Sequence, residues 1–162
     1  MTDKQKADEA RKAAIRGFQD REASEQRAKA DRQAIQEANA RRQNQHLLSW
    51  ATSAYQTVNH GVMAANDAYA QDGSPYVLSS TPDTSTSAVS HEVRRSGSLK
   101  VEATLTFAMD AEGFVRPDTS ARGCEEFPEP MAVAEVTAEW AKEVAEVVLK
   151  AVLGGQRMRI PD

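Results

Sequence analysis

The chain contains a single cysteine, Cys124, which excludes a disulfide framework within one molecule and suits a reducing compartment. Proline is missing until Pro75, and the residues before it hold just three glycines, Gly17, Gly61 and Gly73. Nothing in that opening stretch therefore has to end a helix. Aromatic residues are 6% of the chain, so a core must be built mainly from aliphatic side chains. No run approaches the roughly 20 apolar residues needed to span a bilayer. Met1–Gln5 lacks the apolar segment of a signal peptide. These absences predict a cytoplasmic protein without a membrane span, or a component of a particle assembled inside the cell.

What is present divides near His46. Residues 1–45 carry 11 Lys/Arg against 8 Asp/Glu, and residues 46–162 carry 9 against 16. The front part is rich in Ala, Gln, Glu, Lys and Arg, all good helix formers. Thr2 and Gln5 have the spacing of a capping box. Its large apolar residues are Ile15, Phe18 and Ile35. High propensity with little to bury describes a helix that is solvated or completed by a partner. Residues 1–45 are accordingly expected to be a charged helical arm.

Residues 46–162 read as an α+β domain. A helix is expected over 46–71, with Leu48, Ala51, Tyr55, Val58, Val62, Ala65 and Tyr69 at 3,4 spacing. Projected backwards, this register places Asn44, Arg41, Glu37, Arg27 and Asp20 at core positions, which argues against one continuous coiled coil. Three or four antiparallel strands are expected within 76–117. The clearest has Leu99, Val101, Ala103, Leu105, Phe107 and Met109 on one face and Lys100, Glu102, Thr104 and Thr106 on the other. Pro117 stops the last strand early or marks it as an edge. A C-terminal amphipathic helix is expected over 130–153, opening near Pro130 and closed by Gly154-Gly155, with Val133, Val136, Trp140, Val144, Val147, Val148 and Val152 as its apolar face. Both amphipathic helices would cover one face of the sheet in a two-layer core. Loop is expected over Thr81–Ser87 and a marginal strand over Arg157–Ile160.

Patterns that carry chemistry are scarce. His46 and His60 lie fourteen residues apart, about 21 Å along a straight helix, too far to share a metal. His91 falls on an apolar strand face and reads as structural. The acids between Asp110 and Glu129 lack the alternation of a calcium loop. No phosphate-binding loop or nucleophile elbow occurs. No catalytic, cofactor-binding or metal-binding residue is therefore predicted.

One stretch, Leu105-Thr106-Phe107-Ala108-Met109-Asp110-Ala111-Glu112-Gly113-Phe114-Val115, follows a charged Ala-rich helix with a strand, an Asp-x-x-Gly turn and a short strand. It loosely resembles the C-terminal regions of TolA/TonB-type proteins. The likeness is confined to those residues and supplies no family assignment.

The resulting expectation is a non-enzymatic assembly or adaptor protein, an oligomeric subunit of a larger particle such as a virion or secretion-type assembly. It would engage a protein partner or further copies of the chain through Ile15, Phe18 and Ile35 of the arm and through Trp50, for which packing against the sheet is the preferred reading and partner anchoring the alternative. Two alternatives stand beside it. The arm could bind nucleic acid through Arg11, Lys12, Arg16, Arg41 and Arg42, or the sheet could carry an enzyme with dispersed catalytic residues.

Overall fold

A computed structural model describes residues 2–81 and 87–157. The loop expected over Thr81–Ser87 and the strand expected over Arg157–Ile160 lie for the most part outside them. The chain forms two units, Met1–Arg42 and Gln43–Asp162.

The first unit is helical. Helix α1 (Asp3–Ser49) opens with the capping box: Thr2 N donates to Gln5 Oε1 at 2.9 Å and Gln5 N to Thr2 Oγ1 at 3.3 Å. These reciprocal bonds satisfy donors that a helix start leaves unpaired. None of the residues of α1 is buried.

The second unit is α+β. After α1 comes a π-helical turn, Trp50–Ala54, then α2 (Tyr55–Gln71), β1 (Tyr76–Ser80), β2 (Ala88–Arg95), β3 (Val101–Met109), β4 (Phe114–Thr119), β5 (Met131–Ala132), a 3₁₀ turn (Val133–Glu135) and α3 (Ala138–Arg157). The five strands form one antiparallel sheet in chain order. Alternation puts Val89 and Val93 of β2 and Ala103, Leu105 and Phe107 of β3 on the buried face. Val58, Val62 and Ala65 of α2 and Trp140, Val144, Val148 and Leu149 of α3 join them in one core. Each buried Val or Leu contributes about 1.5–3 kcal/mol of transfer free energy, so these residues supply the main driving force for the fold.

Helices α2 and α3 approach closely at Gly61. A Cβ there would lie 2.4 Å from Ala138 O and 2.6 Å from Ala141 Cβ. Gly61 is therefore small because the approach of α3 leaves no room for a side chain there.

Several boundaries differ from expectation, each for a local reason. The sheet has five strands instead of three or four, because Met131 and Ala132 pair with Val115 and Phe114. A two-residue strand has no periodicity to read. That pairing also displaces the expected helix start at Pro130. Helix α3 instead opens at Ala138, where Thr137 Oγ1 accepts from Trp140 N at 3.2 Å as an N-cap. It runs through Gly154 and Gly155 to Arg157. Strand β4 continues through Pro117 to Thr119. Because β5 covers just Phe114 and Val115, Pro117 lies on the open edge, where a missing N–H costs no ladder bond. Leu99 precedes β3 and is 88% exposed.

The helix over 46–71 also departs from its projected seam. Val58, Val62 and Ala65 are buried as expected, but Leu48 and Tyr55 are exposed. Trp50 takes a buried place instead, beside Ala54 at the margin of the stripe. The cause is the π-turn, in which Tyr55 N donates to Trp50 O, five residues back. One extra residue in a turn rotates everything before it by about 100°. The hydroxyls of Thr52 and Thr57 donate to Leu48 O and Ser53 O, at 2.7 and 3.0 Å, alongside this widened turn.

Candidate functional site

The expected partner-binding residues separate into two groups. Ile15, Phe18 and Ile35 are 51%, 57% and 61% exposed on α1. Ile15 and Phe18, three apart, are neighbours on the helix surface. Ile35 is seventeen residues beyond Phe18, which turns it about 100° away. The three do not form one continuous stripe. Instead, Lys12, Ile15, Phe18 and Arg21 follow at intervals of three, so an apolar pair is bracketed by bases. Residues 11–21 contain four bases, Arg11, Lys12, Arg16 and Arg21, and one acid, Asp20.

Trp50 does not belong with them. It is 2% exposed within the core of the second unit, its ring edge-on to Tyr55 at 6.5 Å. The phase shift of the π-turn carries it inward, so packing, the preferred of its two readings, holds and its assignment as a partner-binding residue is corrected.

Of the five bases expected for nucleic-acid binding, Lys12, Arg16 and Arg41 fall within about 40° of one another around α1, while Arg11 and Arg42 point about 100° or more away from Arg41. Arg11 is engaged by Asp8 at 3.0 Å. Arg11 and Lys12, and likewise Arg41 and Arg42, are adjacent in sequence and point about 100° apart. Glu9, Asp20 and Glu37 are interleaved among them.

The second unit has a surface cleft between α3 and the segment joining β4 to β5. Part of it, about 660 Å³, is lined by Tyr69, Phe127, Pro128 and Val147 with acids on both banks. Glu125 and Glu126 stand on the loop bank; Glu143 and Glu146 stand on α3. An adjoining part of about 590 Å³ shares Tyr69, Glu125, Val147 and Lys150 and reaches Arg122 and Leu153. Lys150 Nζ pairs with Glu125 at 2.8 Å, tying the loop to the helix. Lys142 Nζ lies 3.7 Å from Glu146. Glu126 and Glu143 have no ion pair among the described residues, which leaves one unpaired acid on each bank.

Tyr69 donates its hydroxyl to Glu146 O at 3.3 Å. Burial, and then the Glu146 carboxylate, push its pKa above the ordinary value, so it remains a donor at neutral pH. Burial likewise raises the Cys124 thiol, which disfavours the reactive thiolate.

His91, read as structural, is buried against Phe107 with ring centroids 6.0 Å apart. Its Nε2 lies 2.9 Å from Asn59 Oδ1, whereas Nδ1 has no partner among the described residues. The Nε2–H tautomer satisfies Asn59 and leaves Nδ1 as a bare lone pair. Burial lowers the His91 pKa from 6.5 to about 4. Among the described residues, no group of three or more His, Cys, Asp or Glu is placed to hold a metal ion. No helix among them is long and apolar enough to cross a membrane.

The β1 edge and the part of β4 that β5 leaves uncovered are obstructed. On β1, Asn66 Nδ2 donates to Leu78 O at 2.7 Å and Leu78 N donates to Asn66 Oδ1 at 2.8 Å. Ser74 Oγ accepts from Tyr76 N at 3.2 Å beside it. Pro117 stands on the exposed part of β4. Side-chain bonds on β1 and a proline on β4 disfavour strand addition there, so a helical surface is the better candidate for contact.

No family model, curated protein or solved structure matches the chain.

Proposed function

We propose that this chain is a non-enzymatic assembly or adaptor protein that docks through its N-terminal helical arm, as an oligomeric subunit of a larger particle. One observation carries the reading: α1 buries none of its residues, yet holds Ile15, Phe18 and Ile35 exposed. A helix with no apolar burial of its own depends on propensity and weak side-chain pairs. Docking would add the tertiary contact that stabilises most helices in proteins. The partner is a protein, either a further copy of the chain or another component. The single cysteine favours a reducing setting, the cytoplasm or a particle assembled there.

The nucleic-acid alternative has less support, because the arm's bases are interleaved with acids. It requires affinity that falls steeply with salt. The non-enzymatic part of the reading rests on the lack of a nucleophile, metal or phosphate-loop pattern in the sequence.

Light scattering of the full chain and of an Ile15→Ser/Phe18→Ser/Ile35→Ser variant tests the proposal. The expected result is loss of self-association with unchanged thermal unfolding. Equal association of the two proteins, together with equal capture of cellular partners, would remove it.

A further inference from the structure

We propose that the acid-banked cleft beside α3 receives residues 11–21 of the arm of a second copy, giving a head-to-tail contact between chains. This inference rests on reading α1 as a docking arm, and it names the surface on which the arm docks.

The cleft and the arm segment are complementary in two respects. The cleft is lined by Phe127, Pro128 and Val147 together with Glu125 and Glu126 on the loop bank and Glu143 and Glu146 on α3. The arm segment presents the converse. Ile15 and Phe18 form an exposed apolar pair, with Lys12 before it and Arg21 after it at the same three-residue interval. An amphipathic helix laid in a groove anchors through side chains at i and i+3, as this pair would. The charges are opposite in sign. Glu126 and Glu143 are exposed and without an ion pair among the described residues, one on each bank. Lys12 and Arg21 are exposed and likewise free of ion pairs among the described residues.

The alternative mode, addition of a strand to the sheet, meets the side-chain bonds on β1 and Pro117 on β4. A contact between unlike surfaces is not self-limiting. Unless its rotation closes a ring, it propagates, which suits the subunit of a particle. Each contact involves few anchors and exposed charges, so it should be weak singly and salt-sensitive.

Sedimentation velocity of the full chain over a range of concentration tests this with a charge exchange. Four proteins are compared: wild type, Glu126→Lys/Glu143→Lys, Lys12→Glu/Arg21→Glu, and the quadruple variant. All four positions are exposed, so thermal unfolding should be unchanged in each. At low salt each double variant should weaken association about tenfold or more, and the quadruple variant should restore it to within a few-fold of wild type. Weakening by the arm reversal but not by the cleft reversal would overturn the cleft as the receptor and leave the arm reading standing. A wild-type chain that stays monomeric throughout would overturn the second copy as occupant. If Ile15→Ser/Phe18→Ser left association unchanged, both the cleft and the arm reading would fall together.

Discussion

Asn66 and Leu78, twelve residues apart, meet through two hydrogen bonds of 2.7 and 2.8 Å in which the side-chain amide takes the place of a neighbouring strand. Helix α2 thereby satisfies both backbone groups of an edge residue. Asn66→Ala leaves that N–H and C=O unpaired. The expected loss is about 1–3 kcal/mol in urea unfolding, with increased aggregation at high protein concentration. Asn66→Asp keeps the acceptor and loses the donor, so it should fall between the two.

Gly61 and Gly17 make opposite predictions for the same substitution. Ala favours a helix over Gly by about 1 kcal/mol. At Gly17 nothing lies within 4 Å of the added Cβ, so Gly17→Ala should stabilise α1. At Gly61 the methyl would meet Ala138 O at 2.4 Å. Gly61→Ala should therefore destabilise the second unit by about 1–3 kcal/mol through overpacking. Circular dichroism at 222 nm should show increased helix content for the first variant and a lower unfolding midpoint for the second.

Trp50 and Phe18 separate core from surface. Trp50→Ala removes a buried side chain and should cost about 3–5 kcal/mol. Phe18→Ala removes an exposed one and should leave the unfolding midpoint of the monomer within about 0.5 kcal/mol of wild type. Chemical denaturation below the association range distinguishes them.

His91 predicts an acid-sensitive fold. Its pKa is near 4 in the fold and 6.5 when unfolded, so the unfolded chain binds more protons between those values. Stability is whole above pH 6.5 and declines as pH falls toward 4, by up to about 1.4 kcal/mol per unit and roughly 3 kcal/mol in all. His91→Gln should flatten that slope in denaturation curves from pH 7 to 4.5. Asp110 acts lower on the scale. Its hydrogen bond from Arg116 depresses its pKa, so its contribution is present above the ordinary carboxylate pKa of 3.8 and is lost as pH falls below it.

The parts of the fold legible in the sequence are those with a repeating period. Alternation in β3 identified Ala103, Leu105 and Phe107 as buried, and the 3,4 repeat of α3 identified Trp140, Val144 and Val148. The π-turn was not legible, because one widened turn changes the phase of a helix without changing its composition. Trp50 therefore fell off the projected seam, and a surface role stayed open beside the packing role it has. Strand β5 and the Asn66–Leu78 bonds depend on residues brought together by tertiary packing. Pro130 stood out as the start of α3, and the Thr137 cap was not singled out. Within the candidate site, Ile15 and Phe18 stood out as apolar residues in a polar helix. The opposing acids did not, since Glu126 and Glu143 become the two banks of one cleft when the loop packs beside α3.

Hydrogen exchange of the α1 amides in the full chain, at low and at high protein concentration, tests the docking role most directly. With no buried residue on α1, the account predicts rapid exchange in dilute solution and protection that grows with concentration, centred on residues 11–21. Equally rapid exchange at both concentrations would contradict docking on a second copy, and strong protection in dilute monomer would contradict an arm that needs a partner.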